Sequence, residues 1–136
     1  MGRINDNQFI RSATTNGSVI GITEAYGSKS KSRVVVLRYP LGHPGACDYL
    51  LTPTQAHQFA RAVADAYRSA VPVVSAIGTK DDICLNVVSG GDAQPYVEIA
   101  GIAPGAPEPM RLEFSEPQAG LLVCHLLNCI RAQVRR

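Results

Sequence analysis

Apolar and polar residues alternate in short runs along most of this chain, and the runs fall into two sets, each closed by a helical pattern. Alternation and β-branched content predict extended segments at Phe9–Ala13, Val19–Ala25, Arg33–Tyr39 and Cys47–Leu51, then a helix from Pro53 to about Ser69. The second set predicts strands at Val71–Ala76, Asp82–Val88, Tyr96–Ile102 and Met110–Phe114, then a helix from Glu116 to about Gln133. Both helices start in the same way, from Thr52-Pro53-Thr54-Gln55 and from Ser115-Glu116-Pro117-Gln118. Each is a capping box: the hydroxyl accepts a bond from the N3 amide, the glutamine reaches back, and a proline occupies the first turn, where no intrahelical donor is needed.

The interval from Gln55 to Gln118, carried along the chain without a gap, aligns Ser12-Ala13 with Ser75-Ala76, Ile20 with Ile83, Gly27 with Gly90 and Val34 with Val97. It also aligns Gly42 and Pro44 with Gly105 and Pro107, and Arg68 with Arg131. Glycines and prolines that coincide at turns mark a duplication. The expected architecture is a single α+β domain over residues 1–136, built from a ββββα repeat at 8–70 and a second at 71–136. Consecutive strands make antiparallel meander sheets, with one helix packed on each.

The gap-free alignment predicts which positions face the helices. Ile20 and Ile22 match Ile83 and Leu85, Val34 and Val36 match Val97 and Ile99, and Tyr49 and Leu51 match Leu112 and Phe114. The opposite face then carries Arg33, Val35, Leu37 and Tyr39 in one copy and Tyr96, Glu98, Ala100 and Ile102 in the other. In the first helix Phe59, Ala62, Val63, Ala66 and Ala70 form an apolar stripe opposite Arg61, Asp65 and Arg68. The second is apolar all round from Leu121 to Ile130, which predicts burial on both sides, either between the two copies or in a subunit interface. The latter points to homo-oligomerisation through Leu121, Cys124 and Leu127.

Composition narrows the function classes. Hydrophobic residues at 46% and charged residues at 18% describe an ordinary globular chain, expected to be cytoplasmic because the polar first residues lack a signal-peptide core. The apolar stretch from Leu121 to Leu127, interrupted by His125, is far short of the roughly 20 residues that span a bilayer, so no membrane partner is expected. Cys47, Cys84, Cys124 and Cys129 sit in apolar patterns and are expected as buried thiols. A formal charge of +2 leaves only local basic surface.

Candidate chemistry is sparse. His43 and Cys47 share a loop, and His125 and Cys129 share a helix face that Cys84 could complete, but neither spacing supplies four metal ligands or a nucleophile with its oxyanion pocket. Both helices begin from proline-bearing caps, not from a glycine-rich phosphate loop. No enzymatic activity, metal or cofactor is expected. The hairpin Gly27-Ser28-Lys29-Ser30-Lys31-Ser32-Arg33 is the one polar feature with a possible partner. Arg11 and Tyr39 in the first copy and Tyr96 and Arg111 in the second extend it: cations follow phosphates, and aromatics stack on unpaired bases.

Two tandem ββββα units resemble the layout of the Whirly and PUR-repeat proteins over nearly the whole chain. The resemblance implies a non-catalytic module that binds single-stranded DNA or RNA on its sheets and assembles further. Lys29, Lys31, Arg33, Arg11 and Arg111 would contact phosphates, and Tyr39 and Tyr96 would stack. The second strand reads Val19-Ile20-Gly21-Ile22-Thr23 where the lysine-rich motif of Whirly proteins would stand. A self-associating interaction domain without nucleic-acid binding is the alternative.

Overall fold

The computed structural model describes residues 4–15, 17–27, 32–68, 74–78, 84–89, 96–101 and 110–135. Two four-stranded antiparallel meanders are each followed by a helix. The first repeat comprises β1 (Ile10–Ala13), β2 (Val19–Gly27), β3 (Ser32–Tyr39), β4 (Cys47–Leu51) and α1 (Pro53–Arg68). The second comprises β5 (Val74–Gly78), β6 (Cys84–Ser89), β7 (Tyr96–Gly101), β8 (Met110–Ser115) and α2 (Glu116–Arg135). A short 3-10 turn at Asp6–Gln8 precedes β1.

Both capping boxes form as their sequences dictate. Gln55 N donates to Thr52 Oγ1 at 3.2 Å, while Thr52 N donates to Gln55 Oε1 at 3.0 Å. At α2, Gln118 N donates to Ser115 Oγ at 3.4 Å and Ser115 N to Gln118 Oε1 at 3.0 Å. The polar ends leave the apolar stripes to dock. Ala56, Phe59, Ala60, Ala62, Val63 and Ala66 of α1 are buried, while Arg61, Asp65 and Arg68 are exposed.

One core serves both repeats. Ile20, Ile22, Leu85 and Val87 from the sheets meet Phe59 of α1 and Leu122 and Leu126 of α2 in a single cluster. The helices pack on each other and also reach across: α1 lies against β5, β6 and β7 as well as β3 and β4, and α2 lies against β1, β2 and β3 as well as β7 and β8. Each side chain as large as Phe59 or Phe114 contributes about 1.5–3 kcal/mol by leaving water.

The duplication is real in three dimensions, but it is not gap-free. The ladders place Ile10, Ile22, Leu37 and Tyr49 in one row and Ser75, Val87, Ile99 and Leu112 in its counterpart. Relative to the interval between the capping boxes, β1 and β2 stand two residues farther from their equivalents and β3 one residue nearer. Because side chains alternate with period two, an odd shift exchanges the faces of a strand. The expectation that Val34 and Val36 face the helices is therefore corrected: Val35 and Leu37 enter the main core, and Val34 and Val36 lie on the outer face. The run Val34-Val35-Val36-Leu37 is apolar on both faces, so alternation could not choose between them.

Two further expectations change. Helix α2 buries a single stripe, Ala119, Leu122, Leu126 and Cys129, while Leu121 is 57% exposed. The thiols are not uniformly buried: Cys129 is, Cys47 is half-buried and Cys124 is exposed. The side chain of Cys84 lies outside the described residues. No described helix is long and apolar enough to cross a membrane.

Candidate binding surfaces on the two sheets

The outer faces of the two sheets are built on one plan and finished differently. In the first sheet the ladder aligns Arg11, Gly21, Arg38 and Asp48 in one outer row. The chain ahead of β1 folds back over this row. Phe9 and Leu41 cover Val34 and Val36 in a second cluster, joined by Ile4, Val19, Ala25 and Leu50. Gly21 makes that approach possible, since a Cβ there would stand 2.7 Å from Leu41 Cδ1 and 2.9 Å from Phe9 Cβ.

Arg38 pins the covering segment. Only 1% exposed, it holds Asp48 through two parallel bonds, Nε to Oδ1 at 2.6 Å and Nη2 to Oδ2 at 2.8 Å. Its Nη1 donates to the Ile4 carbonyl and, at 2.9 Å, to Asp6 Oδ1. The guanidinium also stacks over the Phe9 ring at 4.3 Å from its centroid. The bonds to Asp48 hold the Arg38 proton more tightly than usual, against the opposing cost of burial. Reading the sequence alone missed this residue. Its signal was a cation inside a valine-rich strand, and its partner Asp48 is visible only once the cross-strand register is known.

In the second sheet the corresponding outer row is Ala76, Asn86, Ala100 and Arg111, and beside it run Val74, Val88, Glu98 and Glu113. The burial of this face is uneven: Val88, Glu98 and Ala100 are half-buried. Val74 is 70% exposed, and Ala76 and Glu113 are exposed with it. Arg111, 73% exposed, donates from Nε to Glu98 Oε1 at 3.2 Å. Such a surface pair is worth little stability.

Of the residues expected to contact nucleic acid, those described do not lie on one sheet face. Arg11 is exposed on the outer face of β1, and Arg111 is on the outer face of the other sheet. Arg33 and Tyr39 lie on the helix side of β3, in phase with Val35 and Leu37, which corrects the outer-face assignment of that set. Tyr39 packs against the main core with its hydroxyl 3.5 Å from Ser18 Oγ. Arg11 and Arg33 occupy rows five residues apart along β2, roughly 17 Å at strand rise. Lys29, Lys31 and the side chain of Tyr96 lie outside the described residues. Of the three residues expected at an oligomer interface, Leu121 and Cys124 are exposed, while Leu127 is half-buried against the core.

The His43 and Cys47 pair has a local structural role. His43 Nδ1 accepts a bond from Gly45 N at 3.2 Å, and Cys47 Sγ donates to the Gly45 carbonyl at 3.8 Å, so each engages the turn between them. A cleft of about 420 Å³ lies beside this turn, lined by Asp6, Arg38 and His43 among others. A smaller one of about 230 Å³ separates Cys129 and Asn128 of α2 from Gln8, Ile10 and Glu24. There burial, and then the charge of Glu24, push the Cys129 thiol up, which makes it a poor nucleophile. Among the described residues no group of three His, Cys, Asp or Glu could hold a metal ion.

Comparison with protein-family models, with curated proteins and with solved structures finds no match to this chain.

Proposed function

We propose that this protein is a non-catalytic interaction module that works by protein–protein contact and associates with itself. One observation carries the reading: of two outer faces built on the same ladder, one is covered by an apolar segment of the chain, while among the described residues the other keeps Val74 70% exposed beside exposed Ala76 and Glu113. The sealed face shows that an apolar segment can dock on a sheet of this geometry. Leu121 and Cys124 add exposed apolar surface on α2. Of the cationic and aromatic groups expected to serve single-stranded nucleic acid, the described ones, Arg11, Arg33, Tyr39 and Arg111, are divided between faces and sheets, and Glu98 and Glu113 stand beside Arg111, so that partner draws less support.

Sedimentation velocity on the full chain, over a wide concentration range, tests the reading. A sedimentation coefficient that rises with concentration is the expected result, and a monomer throughout would overturn it. Fluorescence polarisation with a labelled single strand at two salt concentrations separates the competitor, which requires binding that weakens as salt rises.

A further inference from the structure

Arg38 divides its bonds between the first sheet and the segment that covers it. Nε and Nη2 hold Asp48 on the neighbouring strand β4, while Nη1 alone reaches the covering segment, at the Ile4 carbonyl and at Asp6 Oδ1. The pair with Asp48 is therefore internal to the sheet and persists without the segment. It keeps Nη1 in place as a donor whose acceptors both come from the segment, on a face walled by Val34, Val36 and Leu41. A buried donor costs free energy when it is left without an acceptor, so whatever replaces the segment must bring one.

The covering segment, residues 4–9, is held as a ligand is held, by side chains. Its backbone–backbone bonds are internal, Gln8 N to the Asn5 carbonyl at 3.0 Å and Phe9 N to the Asp6 carbonyl at 3.1 Å, and it adds no strand to either sheet. Ile4 and Phe9 enter the outer cluster and Asp6 meets Arg38, whereas Asn5, Asn7 and Gln8 are exposed. Clefts flank it at both ends, about 420 Å³ beside Ile4, Asn5 and Asp6 and about 230 Å³ beside Gln8. A segment with so few buried contacts opens locally, well below the cost of global unfolding.

We propose that the outer face of the first sheet is a docking site for a partner peptide, and that residues 4–9 close it as an autoinhibitory stand-in. The stand-in defines the chemistry of the occupant: an aliphatic residue, an acid two positions on to accept from Arg38 Nη1, and an aromatic three positions further. The aromatic settles over the guanidinium and against Gly21, where a Cβ would stand 2.9 Å from Phe9 Cβ. This inference rests on the reading of the protein as a module of protein–protein contact, but not on its self-association.

The test titrates a blocked synthetic peptide of residues 4–10 into the isotope-labelled full chain and follows backbone amide resonances. The receivers are wild type, Asp6→Asn, and Asp6→Asn combined with Phe9→Ser, which releases the tethered segment. The peptide is expected to shift Val34, Val36 and Arg38, and to bind the double variant about tenfold or more tightly than wild type, with Asp6→Asn between them, because the tethered segment competes. A peptide carrying Asp6→Asn should lose about tenfold in affinity. No binding at millimolar peptide, equal binding to all three chains, or shifts confined to other surfaces would overturn the proposal. So would loss of the native β2 and β3 resonances in both variants, since the segment would then belong to the fold; if only the double variant loses them, Asp6→Asn decides by the same comparison. A chain that stays monomeric in sedimentation yet binds the peptide upholds the docking face and overturns self-association alone.

Discussion

Arg38 is the residue on which the difference between the two halves turns. Its equivalent in the second sheet is Ala100, and the equivalent of Asp48 is Arg111, so the ion pair that anchors the covering segment has no counterpart there. Replacing Arg38 by Met removes the bonds to both carboxylates, Asp48 and Asp6, and the stacking on Phe9. Because Asp48 is only partly exposed, the loss should reach about 2–4 kcal/mol in urea denaturation. Asp48→Asn should cost more than Asp6→Asn, since Asp48 holds the guanidinium at two points and is the less exposed of the two. A change below half a kcal/mol for Arg38→Met would show that the segment is held by Phe9 and Leu41 alone. In the sequence Arg38 stands only as a cation inside a valine-rich strand, and its pairing with Asp48 depends on the cross-strand register.

At the scale of elements, the helices were the most legible. A capping box is a contact across three residues, so the hydroxyl, the glutamine and the proline are all on view in a short window of sequence. Thr52→Ala and Ser115→Ala should each lower stability by about 1 kcal/mol, read as a shifted denaturation midpoint with an unchanged slope. Indifference at either position would mean that the cap geometry contributes nothing there. Strands were located within a few residues, but their faces were not. Where a strand alternates, as at Ile20 and Ile22 or Leu112 and Phe114, the inward set was read correctly. Where it is apolar throughout, as in β3, the face was inferred from the alignment of the two halves. Measured between equivalent rows, the β6–β7 connection is three residues shorter than the β2–β3 connection, so that inference failed.

The whole molecule is held by an interior that neither repeat owns. Because α1 packs across β5, β6 and β7 while α2 packs across β1 and β2, loss of either helix would expose part of the other repeat's sheet. Phe59→Ala, at a fully buried position in the shared cluster, should cost about 3–5 kcal/mol and shift a single cooperative transition seen alike by far-ultraviolet circular dichroism and by tyrosine fluorescence. Two separable transitions would show that the repeats unfold independently. The sequence by itself determined the ββββα order, the duplication and both helix starts, because caps, turns and alternation act over a few neighbouring residues. The tertiary structure alone decided which face of β3 is inward and how the outer face of the first sheet is covered. Those depend on loop lengths, on a cross-strand ion pair and on a segment folding back from before β1, all of which bring together residues that are distant along the chain.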